Sequence, residues 1–340
     1  MAKRVVVPEE DARIADLAVR CKNDPYKFVL AFFPWGEKGK ELEEFEGPDE
    51  WQTKLLCEVR DGLKTADRAV QEAVASGHGI GKSALVAWVI LWSMSTMVDT
   101  KGVVTANTES QLKTKTWAEL AKWHRLSLNS HWFSLEATAL ISNVDGHEKT
   151  WRVDMVPWSE KNSEAFAGLH NKGKRVLLIF DEASAIPDKI WEVAEGALTD
   201  EDTQILWFAF GNPTRARGRF KDCFGRFRTR WTRHHVDSRT ARMTNKKQLQ
   251  AWIDDYGIDS DFVKVRVLGQ FPSADVNALL SDEDVEAAMQ RVYTEREITH
   301  AAKLLGVDVA RQGGDDSVIA RRQGLVMFPL EPMHIPDTQL

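Results

Sequence analysis

Three short stretches of this sequence carry residues whose types and spacing could act on a phosphoryl group. The first is Ser76-Gly77-His78-Gly79-Ile80-Gly81-Lys82-Ser83. Glycines let successive backbone N–H groups turn toward one point at a helix N-terminus, where an anion is held. In such a loop the lysine reaches the β and γ phosphates of a nucleotide and the following hydroxyl ligates magnesium. Residues 76–83 are therefore expected to bind ATP, with Lys82 on the phosphates and Ser83 on Mg2+. Ser76 stands where a first glycine is usual, which leaves the phosphate-facing half of the loop intact.

The second stretch, Arg175 to Glu182 (RVLLIFDE), is an apolar run ending in adjacent carboxylates. A buried strand with that ending places Asp181 in the magnesium shell and Glu182 beside the attacking water, since phosphoryl transfer is catalysed mainly by positioning and charge stabilisation. A second carboxylate next to the metal ligand points to the additional-strand, catalytic-glutamate branch of P-loop enzymes and counts against kinases and GTPases. The third stretch is Gly211-Asn212-Pro213 after QILWFAF. There the Asn212 amide could sense the γ phosphate and relay hydrolysis to movement, although such a triplet also reads as an ordinary turn.

Less specific signals surround these. Gln52 in PDEWQTKLL could recognise adenine through its amide or be a surface glutamine. Residues 215–235 (RARGRFKDCFGRFRTRWTRHH) form a basic patch within a chain of net charge −6. As a strand, RFRTRWTR would set Arg226, Arg228 and Arg230 on one face and Phe227, Thr229 and Trp231 on the other. That face suits DNA phosphates, or is a solvated strand face. A finger arginine is also required, and Arg152, Arg175, Arg215, Arg217 and Arg219 are all candidates. His78 and His170 read as structural, the latter without a visible partner.

The elements that must position these groups alternate between strand and helix. Residues 1–65 read as a helical segment broken at Pro34-Trp35-Gly36, and 66–272 as the nucleotide domain. Arg68–Ala75, Lys101–Asn107, Trp151–Val156, Arg175–Phe180 and Gln204–Phe210 read as strands, several almost wholly apolar, as in a parallel sheet covered on both faces. Ala84–Met94 reads as a buried helix and is shorter than the roughly 20 residues of a membrane span. Leu112, Trp117, Leu120 and Trp123 recur at helical spacing. The fold expected is α/β: a RecA-like P-loop NTPase with a mostly parallel sheet and helices on both faces, its ligands at the carboxyl ends of the strands. The acidic stretch 273–300 reads as a linker.

At 340 residues and 43% hydrophobic, the chain can bury a large core. Cys21, Cys57 and Cys223 lack metal-site spacing and read as the reduced thiols of a cytoplasmic protein. The start, MAKRVVVPEEDAR, has no apolar core of a signal peptide.

Taken together, SGHGIGKS, VVTANTESQ, AGLHNKGKRVLLIFDEAS, GNP and VLGQFP resemble the ATPase domain of the large terminase subunits of tailed bacteriophages, over roughly residues 25 to 320. The resemblance implies a motor that assembles as a homo-oligomeric ring on the portal protein of a procapsid, receives double-stranded DNA from a small terminase subunit, and works in the host cytoplasm, away from membranes. It also implies a C-terminal RNase H-like nuclease. LLGVDVARQGGDDS (304–317) looks like its first hairpin, giving 301–340 as the start of that domain, with Asp308 as a nuclease metal ligand and Asp315 and Asp316 after a glycine turn. Glu331 and Asp337 do not match the later acidic motifs, so this chain is expected to lack a competent nuclease. The rival readings are a helicase or other DNA translocase, and a non-enzymatic nucleotide-binding prophage remnant.

Overall fold

A computed structural model describes residues 9–65, 68–106, 108, 112–158, 169–273, 287–310 and 316–333. Asn107, the segments 159–168 and 274–286, Asp315 and Asp337 lie outside the described residues. The chain divides into two compact units, Met1–Asn277 and Ala278–Leu340.

Three helices open the first unit: α1 (Glu9–Arg20), α2 (Pro25–Phe32) and α3 (Glu50–Gly62). Strand β1 (Val70–Ser76) leads through the glycine loop into α4 (Lys82–Thr96), and β2 (Lys101–Thr105) follows. A π-helical turn (Leu112–Trp117) runs into α5 (Ala118–Leu126), then β3 (Phe133–Leu135), β4 (Ala139–Ser142), β5 (Arg152–Met155) and β6 (Arg175–Phe180). Helix α6 (Asp188–Glu195), β7 (Gln204–Gly211), α7 (Arg219–Phe224), β8 (Thr232–Val236) and α8 (Lys246–Tyr256) follow, and a short helical turn (Asp261–Val263) runs into a second π-helical turn (Lys264–Leu268).

The sheet order is β3-β4-β5-β2-β6-β7-β1-β8. Pairings from β5 to β8 are parallel, and β3-β4-β5 form an antiparallel edge that the sequence did not announce. Strand β7 lies between β1 and β6, the additional strand expected of the catalytic-glutamate branch. Side chains on the central strands alternate between two cores, the period-2 rule acting in a sheet buried on both sides. Leu177, Ile179, Leu206 and Phe208 face α1 to α5, whereas Val176, Leu178, Phe180 and Trp207 face α6 and α7.

Helices α1 to α3 are not a segment apart, because Phe28, Phe32, Leu55 and Leu56 are fully buried in the first core. Tryptophans seal both layers: Trp88 meets Trp123 edge-on at 4.9 Å on one face, and Trp207 meets Trp231 at 5.3 Å on the other. Among the described residues, no helix is long and apolar enough to cross a membrane.

The second unit holds an antiparallel hairpin, β9 (Lys303–Asp308) with β10 (Ser317–Gln323), extended by β11 (Val326–Met327) and β12 (Glu331–Met333). Its register pairs Asp308 with Val318, which brings Asp308 and Asp316 to one end of the hairpin.

Candidate active site

Residues 76–83 join the carboxyl end of β1 to the N-terminus of α4. Gly79 and Gly81 take φ of +74° and +84°, left-handed values that a side chain resists. Gly81 caps α4 with no side-chain hydrogen bond, so the first N–H groups of this 15-residue helix stay open to an acceptor. The serine in the unusual first position is fully buried, and its Oγ accepts from Lys82 Nζ at 2.9 Å. Burial holds the Lys82 ammonium below its ordinary range, with Asp181 and Glu182 pulling the other way. The loop thus presents a desolvated cation beside unsatisfied backbone donors.

A collar of backbone and side-chain contacts fixes the loop from behind. Gly77 N–H donates to the Val236 carbonyl at 3.1 Å, His78 N–H to the Arg266 carbonyl at 2.8 Å, and Ser238 Oγ to the His78 carbonyl at 2.7 Å. A Cβ on Gly77 would lie 2.2 Å from Ser238 Oγ, so the loop can approach this collar only as glycine. The VLGQFP motif acquires a reason here: Gly269, at φ +65°, leaves room for the Ser76 Cα, which a Cβ would meet at 2.7 Å.

Helix α3 clamps the other side. Trp51 Nε1 donates to the Ile80 carbonyl at 3.1 Å and Gln52 Nε2 to the Gly81 carbonyl at 3.0 Å. Gln52 Oε1 also accepts from Asp49 N–H at 2.8 Å, closing a capping box. The Gln52 amide is therefore buried and engaged with the loop backbone at the cavity wall.

Across the sheet, β6 delivers the two carboxylates. Asp181 is nearly buried; Thr116 Oγ1 donates to its Oδ2 at 2.6 Å and the Glu182 N–H to its Oδ1 at 3.0 Å. Burial pushes the Asp181 carboxyl above its ordinary value, Thr116 opposing and the Glu182 charge adding to the shift. Glu182 sits at φ +54°, ψ +43°, a left-handed conformation that costs a non-glycine residue about 1 kcal/mol or more. That turn places its carboxylate 4.0 Å from Lys115 Nζ. Asn212 follows β7, with its Nδ2 donating to the Ser76 carbonyl at 2.6 Å and its own carbonyl accepting from Ser184 Oγ.

Loop and carboxylate strand share one cavity of about 400 Å³. It is lined by Gln52, His78 to Ser83, Glu182 and Asn212, with Trp35, Phe45 and Trp123 on its apolar side. Of the sequence-predicted site residues, Ser76, Gly77 and Asp181 support this cavity from within the fold, and Asp308 belongs to the second unit. The residues that sequence reasoning missed are Trp51, Lys115, Thr116, Ser238 and Arg242. Only the Asp49-to-Gln52 capping-box spacing offered a local signal for the clamp.

The arginines are redistributed. Arg175 is fully buried, its guanidinium bonded to the Lys22 and Ser93 carbonyls, Thr96 and Gln204, and is no finger. Arg152 is held by Asp154, and Arg219 by Glu195. Arg215 and Arg217 are exposed near Ser184 and Asp188. The arginine that lines the cavity is Arg242, which reaches the Gly47 carbonyl at 2.8 Å. The alternating strand expected at 226–231 is a run of turns instead. Phe227 collects Arg219, Arg226 and Arg230 around its ring at 4.2–5.4 Å, and the strand starts only at Thr232. His170 does have a partner, Asp200, at 2.6 Å.

No family model matches the chain. It is 29% identical over 293 residues, 81% of its length, to a protein of Enterobacteria phage P7 described as a probable terminase, large subunit, and spans 56% of that protein. The large terminase of bacteriophage HK97 superposes with a TM-score of 0.54 at 14% identity, over 88% of this chain and 64% of that one. The large terminase of a thermophilic bacteriophage, in complex with ADP, superposes with a TM-score of 0.50 at 14% identity, over 81% and 64%. The chain thus resembles large terminase subunits in sequence, and shares the P-loop α/β fold of their structures.

Proposed function

We propose that this chain is the ATP-hydrolysing motor subunit of a phage DNA-packaging machine, a large terminase subunit that drives double-stranded DNA into a procapsid. The observation that carries the reading is the convergence of Lys82, Glu182 and Asn212 on one cavity, with β7, which leads to Asn212, inserted between β1 and β6. The similarity to the phage P7 protein and the ADP complex of the thermophilic phage's terminase support it.

The residues present fit a magnesium nucleoside triphosphate. The uncapped N-terminus of α4 and the desolvated Lys82 suit an anion, and Asp181 is buried with a hydroxyl orienting it. Magnesium ATP supplies the transferable phosphoryl group and a cation that offsets its charge. Residues 77–83 would cradle the phosphates, Lys82 would draw the terminal ones, and Ser83 with Asp181 would hold the metal. Glu182 orients and polarises the attacking water. Gln52, its amide engaged by Gly81 and Asp49, steadies the loop, and Asn212 ties the end of β7 to the Ser76 carbonyl. The arginines around Phe227 offer charge to DNA phosphates. The small terminase subunit, the portal protein and ring assembly on it are the partners this reading requires. In the second unit, Asp308 and Asp316 would begin a carboxylate cluster of the kind a two-metal nuclease needs.

Magnesium-dependent ATP hydrolysis by the chain and by Glu182→Gln, with and without linear double-stranded DNA and a matching prohead, tests the reading. Weak basal hydrolysis stimulated by prohead and DNA, with a variant that binds ATP but does not turn it over, is expected. Stimulation by DNA without any effect of prohead would favour a helicase-type translocase. Absence of hydrolysis under all these conditions would leave a nucleotide-binding protein and defeat the proposal.

A further inference from the structure

Behind the glycine loop, three ligand-type side chains from distant parts of the sequence meet. Glu58 comes from α3, Glu72 from β1 and His234 from β8. One ligand atom from each lies within 4.8 Å of the others. His234 Nε2 is 2.8 Å from Glu72 Oε2 and 3.1 Å from Glu58 Oε2. Glu72 is 1% exposed and His234 6%.

The hydrogen-bond donors and acceptors at this point do not balance. A single imidazole nitrogen faces two carboxylates, and its one proton can be aimed at only one of them. Glu72 takes it, while Glu58 Oε2, buried as an atom, receives no hydrogen bond. Burial drives the Glu72 carboxyl well above its ordinary value, the Glu58 charge adding to this and a hydrogen bond from Thr232 opposing it. The same burial pushes the His234 imidazole down, with the Glu58 charge opposing. The nearest ammonium is Lys54, 4.0 Å from the other oxygen of Glu58 and largely in solvent. Among the described residues, no lysine or arginine forms an ion pair with Glu72. Two carboxylates and an imidazole nitrogen thus converge with one carboxylate oxygen left unbonded, a donor set that a cation would complete.

We propose that Glu58, Glu72 and His234 bind one divalent transition-metal ion, for which zinc is the matched probe, and that the ion fastens α3 to the β1–β8 edge that supports the phosphate-binding loop. The mixed nitrogen and oxygen donor set suits zinc or manganese better than magnesium or calcium, which prefer oxygen alone. Bonds of about 2.0–2.2 Å around a tetrahedral zinc separate ligand atoms by about 3.3 Å, so the two contacts of His234, at 2.8 and 3.1 Å, open by only a few tenths of an ångström to admit it. Glu58 is partly exposed and leaves a side for entry and for completing water ligands.

The consequence for the loop is direct. Trp51 and Gln52, which hold Ile80 and Gly81, lie on the same helix as Glu58. Val236, whose carbonyl receives Gly77 N–H, is two residues beyond His234 on β8. Glu72 is on the strand that enters the loop. None of the three lines the nucleotide cavity, so this site stands whether or not the ATPase reading does.

The test uses the full chain, free of any affinity tag, stripped with a chelator and titrated with zinc in the absence of magnesium and nucleotide. Stoichiometry is read by competition with a chromogenic chelator, and stability by thermal unfolding. One zinc per chain and a raised melting temperature are expected. Glu58→Gln, on a helix surface where the fold tolerates it, should weaken binding by at least about tenfold and remove the thermal shift. His234→Ala should do the same; if it fails to fold, Glu58→Gln decides. Cys57→Ser should bind as the unaltered chain does, excluding the neighbouring thiol. Failure to bind stoichiometric zinc or manganese, or binding that Glu58→Gln leaves unchanged, overturns the proposal.

Discussion

The side-chain amide of Asn212 donates to the backbone carbonyl of Ser76 at 2.6 Å, joining the end of β7 to the first residue of the glycine loop. Ser76 in turn receives Lys82 through its hydroxyl. A residue read from the sequence as a sensor is thus wired to the loop through main chain. Asn212→Ala leaves a buried carbonyl unsatisfied, at a cost of about 1–3 kcal/mol. Nucleotide binding should persist while turnover falls roughly tenfold or more, because positioning is what phosphoryl transfer depends on. Equilibrium binding of a fluorescent ATP analogue beside steady-state hydrolysis separates the two; equal losses in both would show Asn212 to be a prop for the loop and nothing else.

Thr116 is the hydroxyl that orients Asp181, and nothing in its own sequence context marks it. Thr116→Val keeps the shape and removes the donor to Oδ2. The magnesium concentration for half-maximal hydrolysis should rise roughly tenfold, as when the outer partner of a metal ligand is lost. A magnesium titration of activity at saturating ATP measures this, and an unaltered midpoint would remove Thr116 from the metal's surroundings.

Lys82 makes nucleotide binding pH-dependent with a defined sign. Burial lowers its folded-state pKa below 10.5, so the folded chain gives up this proton at lower pH than the unfolded chain does. The buried ammonium therefore costs stability at lower pH, and that cost disappears as pH rises through the folded value toward 10.5. A triphosphate favours the ammonium, so binding takes up a proton on the alkaline side and affinity falls as pH rises. Calorimetry of ATP binding without magnesium, at about pH 9 in two buffers of unequal ionisation enthalpy, should report net proton uptake. Proton release would contradict the assignment of Lys82 to the phosphates.

Gly269→Ala tests the collar. The added Cβ would meet Ser76 Cα and the Val236 carbonyl at 2.7 Å each, all backbone that cannot turn aside, at a positive φ. A loss of about 2 kcal/mol or more is expected in urea unfolding, together with a raised KM for ATP. A variant as stable and as active as the unaltered chain would show the approach of this turn to the loop to be looser than described.

What the sequence revealed and what it hid divide along the range of the interactions. The loop, β6 and β7 were legible because strand burial and glycine spacing are local, and the neighbours of Lys82 and Asp181 follow from chain order. At 226–231 the alternation misled: Phe227 prefers a ring of guanidinium groups to a place in the sheet, and the strand register is set further on by the burial of His234 and Val236. Arg175 stood among five finger candidates because its sequence gives no sign of the carbonyls of Lys22 and Ser93 that enclose it. Thr116 and Arg242 reach the site across the fold, and Glu58, Glu72 and His234 share no motif at all. Gln52 was noticed for its amide, whereas its three-residue spacing from Asp49 was the more informative feature.

Arg175 also binds the far end of α4. Its guanidinium holds the Ser93 carbonyl and the Thr96 hydroxyl in the last turns of the helix whose first turn is the glycine loop, and it stacks 4.2 Å from Trp92. A 15-residue helix is a rod of about 22 Å. With twelve of its 15 residues buried, α4 is held at its two ends by different parts of the chain: the first turn continues the glycine loop, and the last is bound by Arg175, which also holds the Lys22 carbonyl at the joint between α1 and α2. The cavity wall and that joint are therefore the two ends of one buried helix.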